Sequence, residues 1–400
     1  MHSELSSAVA FGTAEHPWQG VRAGAFKGAA DTYAIHDEMR REAPVWQAPW
    51  GDVYVTRYDL VSNSLVNRKL SHVPPGSETA EPHSAMRDWL IYQEGSAHAA
   101  LRKALQQPFV SNGMAALRPV IDDAVKEFIG DALSGTVDVV AAFTRAVPER
   151  IICRLLGVPA RDMPMIRQWS GAIRTMLDTG FDDAFLASAN PADEMSDYFV
   201  AHVSHLLTAG PMPPLLTGLP SLADALGLVA AGRNIAFLAF AGHETTVHLI
   251  GNMLFHLSRQ PDQWSSMRAN RRLAANAVAE TLRLESPVQK ICRWPLEPVV
   301  LDGQEIEKDR LLVLLVGAAN RDPSQFPAPS RFDIARTGKQ NLAFGRGAHV
   351  CIGRALAEME GAMVLNAMLD RWKTVEQIDS RWMDNSSMRG LDSLVLSLMG

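Results

Sequence analysis

Four hundred residues, 47% of them apolar and 20% charged, are enough chain to bury a large core, and a net charge of −6 argues against a nucleic-acid partner, which wants a basic surface. No stretch reaches the roughly 20 apolar residues of a membrane helix, and the first 30 residues, with Glu4, Glu15 and His16, read as neither signal peptide nor mitochondrial presequence. Three sparse cysteines, Cys153, Cys292 and Cys351, form no disulfide framework and fit a reducing compartment, so the chain is expected to be soluble and cytoplasmic, with no membrane partner.

Ala29 to Arg41 reads as a first helix, Val53 to Thr56 as a short strand, and residues 59–67 as the next helix. Pro74, Pro75, Gly76 and Pro82 make residues 73–86 a loop. Apolar spacing predicts helices over 98–107, 115–133 and 149–156. Residues 187–218, with Pro191, Pro211, Pro213 and Pro214, read as irregular, and a long helix is expected over 222–260, with another over 274–284. Asp302-Gly303 between two apolar strand segments predicts a tight hairpin. A strand over 311–316 and a proline-rich meander over 322–329 follow, and the last long helix starts near Cys351. The fold class is mainly α with small β-sheets. There are no repeats and no separating linker, so residues 1–400 are expected to form a single domain.

The run Phe344-Gly345-Arg346-Gly347-Ala348-His349-Val350-Cys351-Ile352-Gly353 sets one cysteine after two glycines and before a helix. The glycines permit tight turns and close approach of a flat ligand, and a helix N-terminus favours a thiolate. On composition alone a buried structural cysteine fits as well, as it does for Cys153 in its apolar run. Gly242, inside Phe240-Ala241-Gly242-His243-Glu244-Thr245-Thr246, costs its helix roughly 1 kcal/mol against alanine and needs a reason. Close approach of a planar group and dioxygen would supply one. Ala241 and Thr245 share a face, and Glu244 puts an acid beside the alcohol, a combination suited to proton relay. His243 and His248 frame a zinc-protease-like run, but five apart they stand roughly 140° around a helix, unlike the four-residue spacing zinc needs. His98 and Arg102, four apart, can face one anion. Glu280 and Arg283 read on their own as solvated surface charges.

Taken together these motifs resemble the cytochrome P-450 family. The cysteine run is similar to its heme loop, Phe-x-x-Gly-x-His/Arg-x-Cys-x-Gly, at every fixed position, and Ala241 to Thr245 resembles its oxygen-activation motif. Glu280-Thr281-Leu282-Arg283 resembles its structural Glu-x-x-Arg helix, with Arg331 of the meander as third member. His98-x-x-x-Arg102 resembles its propionate site, although Glu94-Gly95-Ser96 replaces the frequent Asp-Pro-Pro upstream. The resemblance spans residues 30 to 395 and implies a P-450 fold with heme b (iron protoporphyrin IX) between the Gly242 helix and the Cys351 loop. It assigns Cys351 as iron ligand. His98, Arg102, Ala241, Gly242, Arg293, Phe344, Gly345, His349 and Gly353 join it around the cofactor, and Glu244 and Thr245 form the relay.

The implied reaction inserts one oxygen atom from dioxygen into a small organic substrate, free or carrier-protein-tethered, as a tailoring step in secondary metabolite biosynthesis. Electrons are expected from NAD(P)H through a ferredoxin and ferredoxin reductase. Arg102, Lys103, Arg346 and Arg354 form either a docking patch or ordinary solvated charge. Leu238, Ala239, Val288, Ile291 and Met388 are expected to line the substrate pocket, roofed by 73–92 and 187–218. Arg87, Lys290 and Arg389 at its mouth either meet a carboxylate or point to solvent. A peroxide-driven peroxygenase of the same fold and a non-enzymatic heme sensor or carrier are the rival readings.

Overall fold

The computed structural model describes Trp18 and residues 29–76, 85–129, 134–179, 190–209, 211–338 and 340–400. Helices come first and dominate: α1 (Ala29–Glu42), α2 (Tyr58–Ser64), α3 (Gly95–Leu105), α4 (Ser111–Phe128), α5 (Ala146–Leu156), α6 (Met163–Thr179), α7 (Asn190–Ala209), α8 (Leu219–Leu226), α9 (Leu228–Leu257), α10 (Pro261–Ala269), α11 (Leu273–Leu284) and α12 (Arg354–Arg371). Strands are short and pair into small sheets. A five-stranded sheet runs β1 (Val45–Gln47), β2 (Val53–Val55), β8 (Leu312–Leu315), β5 (Lys290–Pro295), β3 (Leu70–Ser71). Only its β2–β8 pair is parallel. A second sheet sets β10 (Leu391–Met399) between β4 (Gly135–Asp138) and β9 (Thr374–Trp382). The hairpin of β6 (Val299–Leu301) and β7 (Gln304–Ile306) turns at Asp302 and Gly303, both at positive φ as its tight turn requires.

Two expectations about the helices need correction. Residues 187–218 are largely helical where described, because Pro191 occupies the first turn of α7, where its missing N–H costs nothing. The long helix over 222–260 is two helices, α8 and α9, broken at Gly227, which adopts φ +85°. Helix α6 and the long β9–β10 hairpin were not anticipated.

The main core joins α4, α5, α7, α9 and α12. Leu117, Ile121, Leu155, Phe199, Ile235, Met253 and Val364 are all almost wholly buried there, each contributing roughly 1.5–3 kcal/mol. Helix α9 is enclosed on most sides, as its nearly continuous apolar sequence requires. It touches α12, where Gly361 leaves room for Leu249 and Val278. No helix among the described residues is long and apolar enough to cross a membrane.

Candidate active site

The Phe344–Gly353 run folds into a closed loop. The Cys351 N–H donates to the Phe344 carbonyl at 2.9 Å, and Gly345 and Gly347 adopt φ +67° and +76°. A side chain at Gly347 would be strained and would crowd Val66 as well. Cys351 then stands just before the first turn of α12, with a bond from the Gly353 N–H to its sulfur. The residue is exposed by its own surface, yet its thiol lies deep among protein atoms. Burial pushes the thiol upward, and the Gly353 N–H with the Arg102 and Arg354 charges oppose that. Phe344 lies beneath the Arg354 guanidinium, 5.6 Å from its ring centre.

Beside this loop, basic groups from separate segments converge. His349 stacks on His98 with ring centroids 3.9 Å apart, and His72 stacks on the other side at 3.4 Å. Burial, together with neighbouring Arg293 and imidazoles, holds His349 at about 3. Arg293 is buried, and desolvation brings it down to about 10. His98 is buried with no hydrogen-bond partner for its Nε2, and its shift is downward through burial and Arg102. The carboxylate acting on this group is Glu94, whose Oε1 already accepts the His72 N–H at 2.7 Å. Crowded basic groups and an orphaned buried nitrogen fit a ligand carrying carboxylates, and a thiol sits next to Arg102. The residues present therefore fit heme, with its iron and two propionates.

On α9, Ala241, Gly242 and Thr245 are partly exposed while His243, Glu244 and Thr246 are buried. The Thr245 hydroxyl donates to the Ala241 carbonyl at 2.8 Å, and Thr246 donates to Gly242 at 3.1 Å. Gly242 has a packing reason for lacking a side chain: a Cβ there would lie 3.0 Å from Ile152 Cδ1 of α5. Close packing of two helices thus gives the glycine a reason of its own beside the one expected from sequence. The Glu244 carboxylate points to α6, where Arg174 donates to it, and the Nε2 atoms of His243 and His248 each stand 3.6 Å away. Burial raises the Glu244 carboxyl, but His248, His243 and Arg174 outweigh it and hold it well below the usual carboxylate range. Glu244 therefore rests as a carboxylate, facing away from the Thr245 hydroxyl.

Of the expected pocket residues, Leu238 lies on the same face as Ala241 and Thr245. Ala239 does not. It packs among Ile152, Leu156 and Phe199, between α5 and α7. Val288 and Met388 pair as an isolated β-bridge, and Ile291 shares the β5 face of Arg293. Parts of the expected roof, residues 77–84, 187–189 and 210, lie outside the described residues.

Arg389 is buried and donates to Glu285 at 2.7 Å, so it braces the core. Lys290 is mostly enclosed, donating to Ser386 Oγ at 2.8 Å with Asp178 at 3.9 Å, and burial lowers it. Asp178, unforeseen from sequence, closes the end of α6 onto the β9–β10 turn by accepting the Ser386 and Ser387 N–H groups at 2.7 and 2.8 Å. In the basic patch, Arg346 bonds Ser62 and Arg354 pairs with Glu358, while Lys103 is exposed.

The Glu-x-x-Arg pair is a buried bidentate ion pair, both bonds 2.8 Å, and no surface pair. Its third member is Arg336, whose Nε lies 3.0 and 3.1 Å from the two Glu280 oxygens. Arg331 is exposed and contributes only its carbonyl, which accepts from Arg283 and Arg336.

Comparison with known proteins shows the family of the chain. The cytochrome P-450 family model matches residues 233–392. The monooxygenase PikC of Streptomyces venezuelae is 32% identical, over 92% of this chain and 91% of its own length. The chain belongs to the cytochrome P-450 family. Another relative of this P-450, 6-deoxyerythronolide B hydroxylase of Saccharopolyspora erythraea, is also 32% identical, over 92% of this chain and 96% of its own. Among solved structures, P-450 BioI in complex with hexadec-9Z-enoic acid ligated acyl carrier protein superposes with a TM-score of 0.84. It is 27% identical, over 92% of this chain and 99% of that one. CalO2 matches at the same TM-score and identity, over 97% and 99%. This P-450 is therefore an oxidoreductase, a monooxygenase of a heme-binding family.

Proposed function

We propose that this P-450 hydroxylates a small organic metabolite as a tailoring step in secondary metabolism. Heme is held by Cys351 as iron ligand, and its propionates by His98, Arg102, Arg293 and His349. The observation that carries the reading is the meeting of a helix-capped cysteine with a cluster of basic side chains that includes an unpartnered buried His98 nitrogen. When bound there, heme supplies the centre at which dioxygen is bound and reduced.

The chain's own residues do the rest. The Gly353 N–H and Arg102 favour Cys351 as a thiolate. Thr245 gives its proton to Ala241, so its oxygen is left as an acceptor on the partly exposed face of α9. Glu244, held as a carboxylate in its ion pair with Arg174, must turn from α6 toward Thr245 to pass on a proton taken from water, and Arg174, whose side chain is 27% exposed, marks the solvent end of that route. Leu238, Val288, Ile291 and Met388 give the substrate an apolar wall. Electrons come from NAD(P)H through a ferredoxin and its reductase, in the cytoplasm.

Two substrate classes follow from the relatives' names: a free macrolactone, as for the hydroxylase, or an acyl chain on a carrier protein, as in the BioI complex. An optical titration of the ferric protein with macrolactones, terpenoids, aromatic acids, fatty acids and carrier-bound acyl groups separates them. A substrate that displaces iron-bound water moves the Soret band toward the high-spin position. A shift with carrier-bound acyl groups alone assigns a tethered substrate. Absence of any heme spectrum overturns the reading.

A further inference from the structure

We infer that His72 is a further carboxylate-binding residue of the cofactor site, donating from its imidazole to a heme propionate beside His98 and His349. The inference rests on the heme reading above. Strand β3 ends at Ser71, which pairs with Trp294, so the next antiparallel step sets His72 across from Arg293. The Glu94 carboxylate fixes the His72 backbone N–H at 2.7 Å, which ties this position to the start of α3, the helix of His98 and Arg102. The His72 ring then lies nearly parallel to His349, 20° between planes, and His349 lies 24° from His98.

Three imidazoles in a stack have no electrostatic reason to gather. Near two arginines each disfavours protonation of the next, and His72 is held down at about 2 by burial, Arg293, His349 and His98. Glu94, the carboxylate acting on this group, is committed to a backbone N–H. A ligand with two carboxylates removes the conflict, because every ring can then act as a donor. The stack thus extends the propionate site by one residue, from a segment that carries no motif.

The test is the rate of heme release from the reconstituted protein to excess apomyoglobin, for wild type and for His72→Ala, His72→Phe and His72→Gln. The inference expects about ten-fold faster release for Ala and Phe, the effect of one lost hydrogen bond to a charged group. Gln, which keeps an N–H donor, is expected to stay within about three-fold of wild type. Each variant should keep the ferrous–carbonyl band of a thiolate heme. Wild-type release by His72→Ala, or by His72→Phe with its ring retained, would overturn the inference and leave the heme reading intact. So would equally fast release by all three variants, which marks a packing role. A wild-type protein that takes up no heme would fail the heme reading itself.

Discussion

Replacing Arg336 with alanine should destabilise the protein far more than replacing Arg331, although only Arg331 sits where the family motif places the third member. Arg336 makes two contacts to the Glu280 carboxylate, at 3.0 and 3.1 Å, and three more to the Pro327, Ala328 and Arg331 carbonyls. Glu280 is almost wholly buried. Removing one partner of a buried ion pair costs about 3–5 kcal/mol, and the retained Arg283 keeps the loss near the lower end. For 400 residues the unfolding entropy is roughly 0.8 kcal/mol/K, so about 3 kcal/mol lowers Tm by about 3–4 °C. Arg331→Ala deletes an exposed side chain and leaves its carbonyl in place, so it should stay within about 0.5 kcal/mol, or under 1 °C. Thermal melts of both heme-loaded variants by circular dichroism decide this. Equal shifts, or a larger one for Arg331→Ala, would show that the side-chain assignment is wrong.

Thr245→Val keeps the volume and removes the hydroxyl. Product formed per NAD(P)H consumed should fall several-fold while the substrate-induced Soret shift persists, measured by coupled turnover and titration. Asp178→Ala strips the acceptor from two N–H groups and one hydroxyl at the β9–β10 turn. It should cost about 2 kcal/mol in a denaturant titration, and an unchanged midpoint would mean that the turn holds itself. Glu360 is buried in α12, and desolvation pushes its carboxyl up to about 8 from 4.5. The folded protein therefore binds the extra proton, and stability should fall as pH rises from about 4.5 to 8 and level off above. Its order of magnitude is about 3 kcal/mol at pH 7. Glu360→Gln should flatten that slope relative to wild type, and parallel pH–stability curves for the two would refute it.

What was legible in the sequence is what rests on short-range chemistry. Asp302-Gly303 announced its turn because both residues need positive φ, and the cysteine loop announced itself because glycines, a lone thiol and a helix start are contiguous. Thr245 and Ala241 were readable as one face because helical spacing fixes it, and their 2.8 Å bond follows. Spacing could not say which face of α9 meets which neighbour, so Ala239 was assigned to the pocket although it turns to α5 and α7.

The partners that escaped notice are all set by tertiary contact. Arg174 meets Glu244 from 70 residues away, and Asp178 meets Ser386 from 208. His72 meets its imidazole neighbours only because β3 pairs with β5 and Glu94 anchors the following backbone. The Arg331 error has the same origin. Motif spacing identifies the loop, but the loop bends at Ala328, which adopts φ +47°, and turns the Arg331 carbonyl inward with its side chain out. Arg336, five residues on, then has the reach to Glu280. A buried carboxylate selects the guanidinium that the backbone can deliver, and sequence order alone does not carry that information.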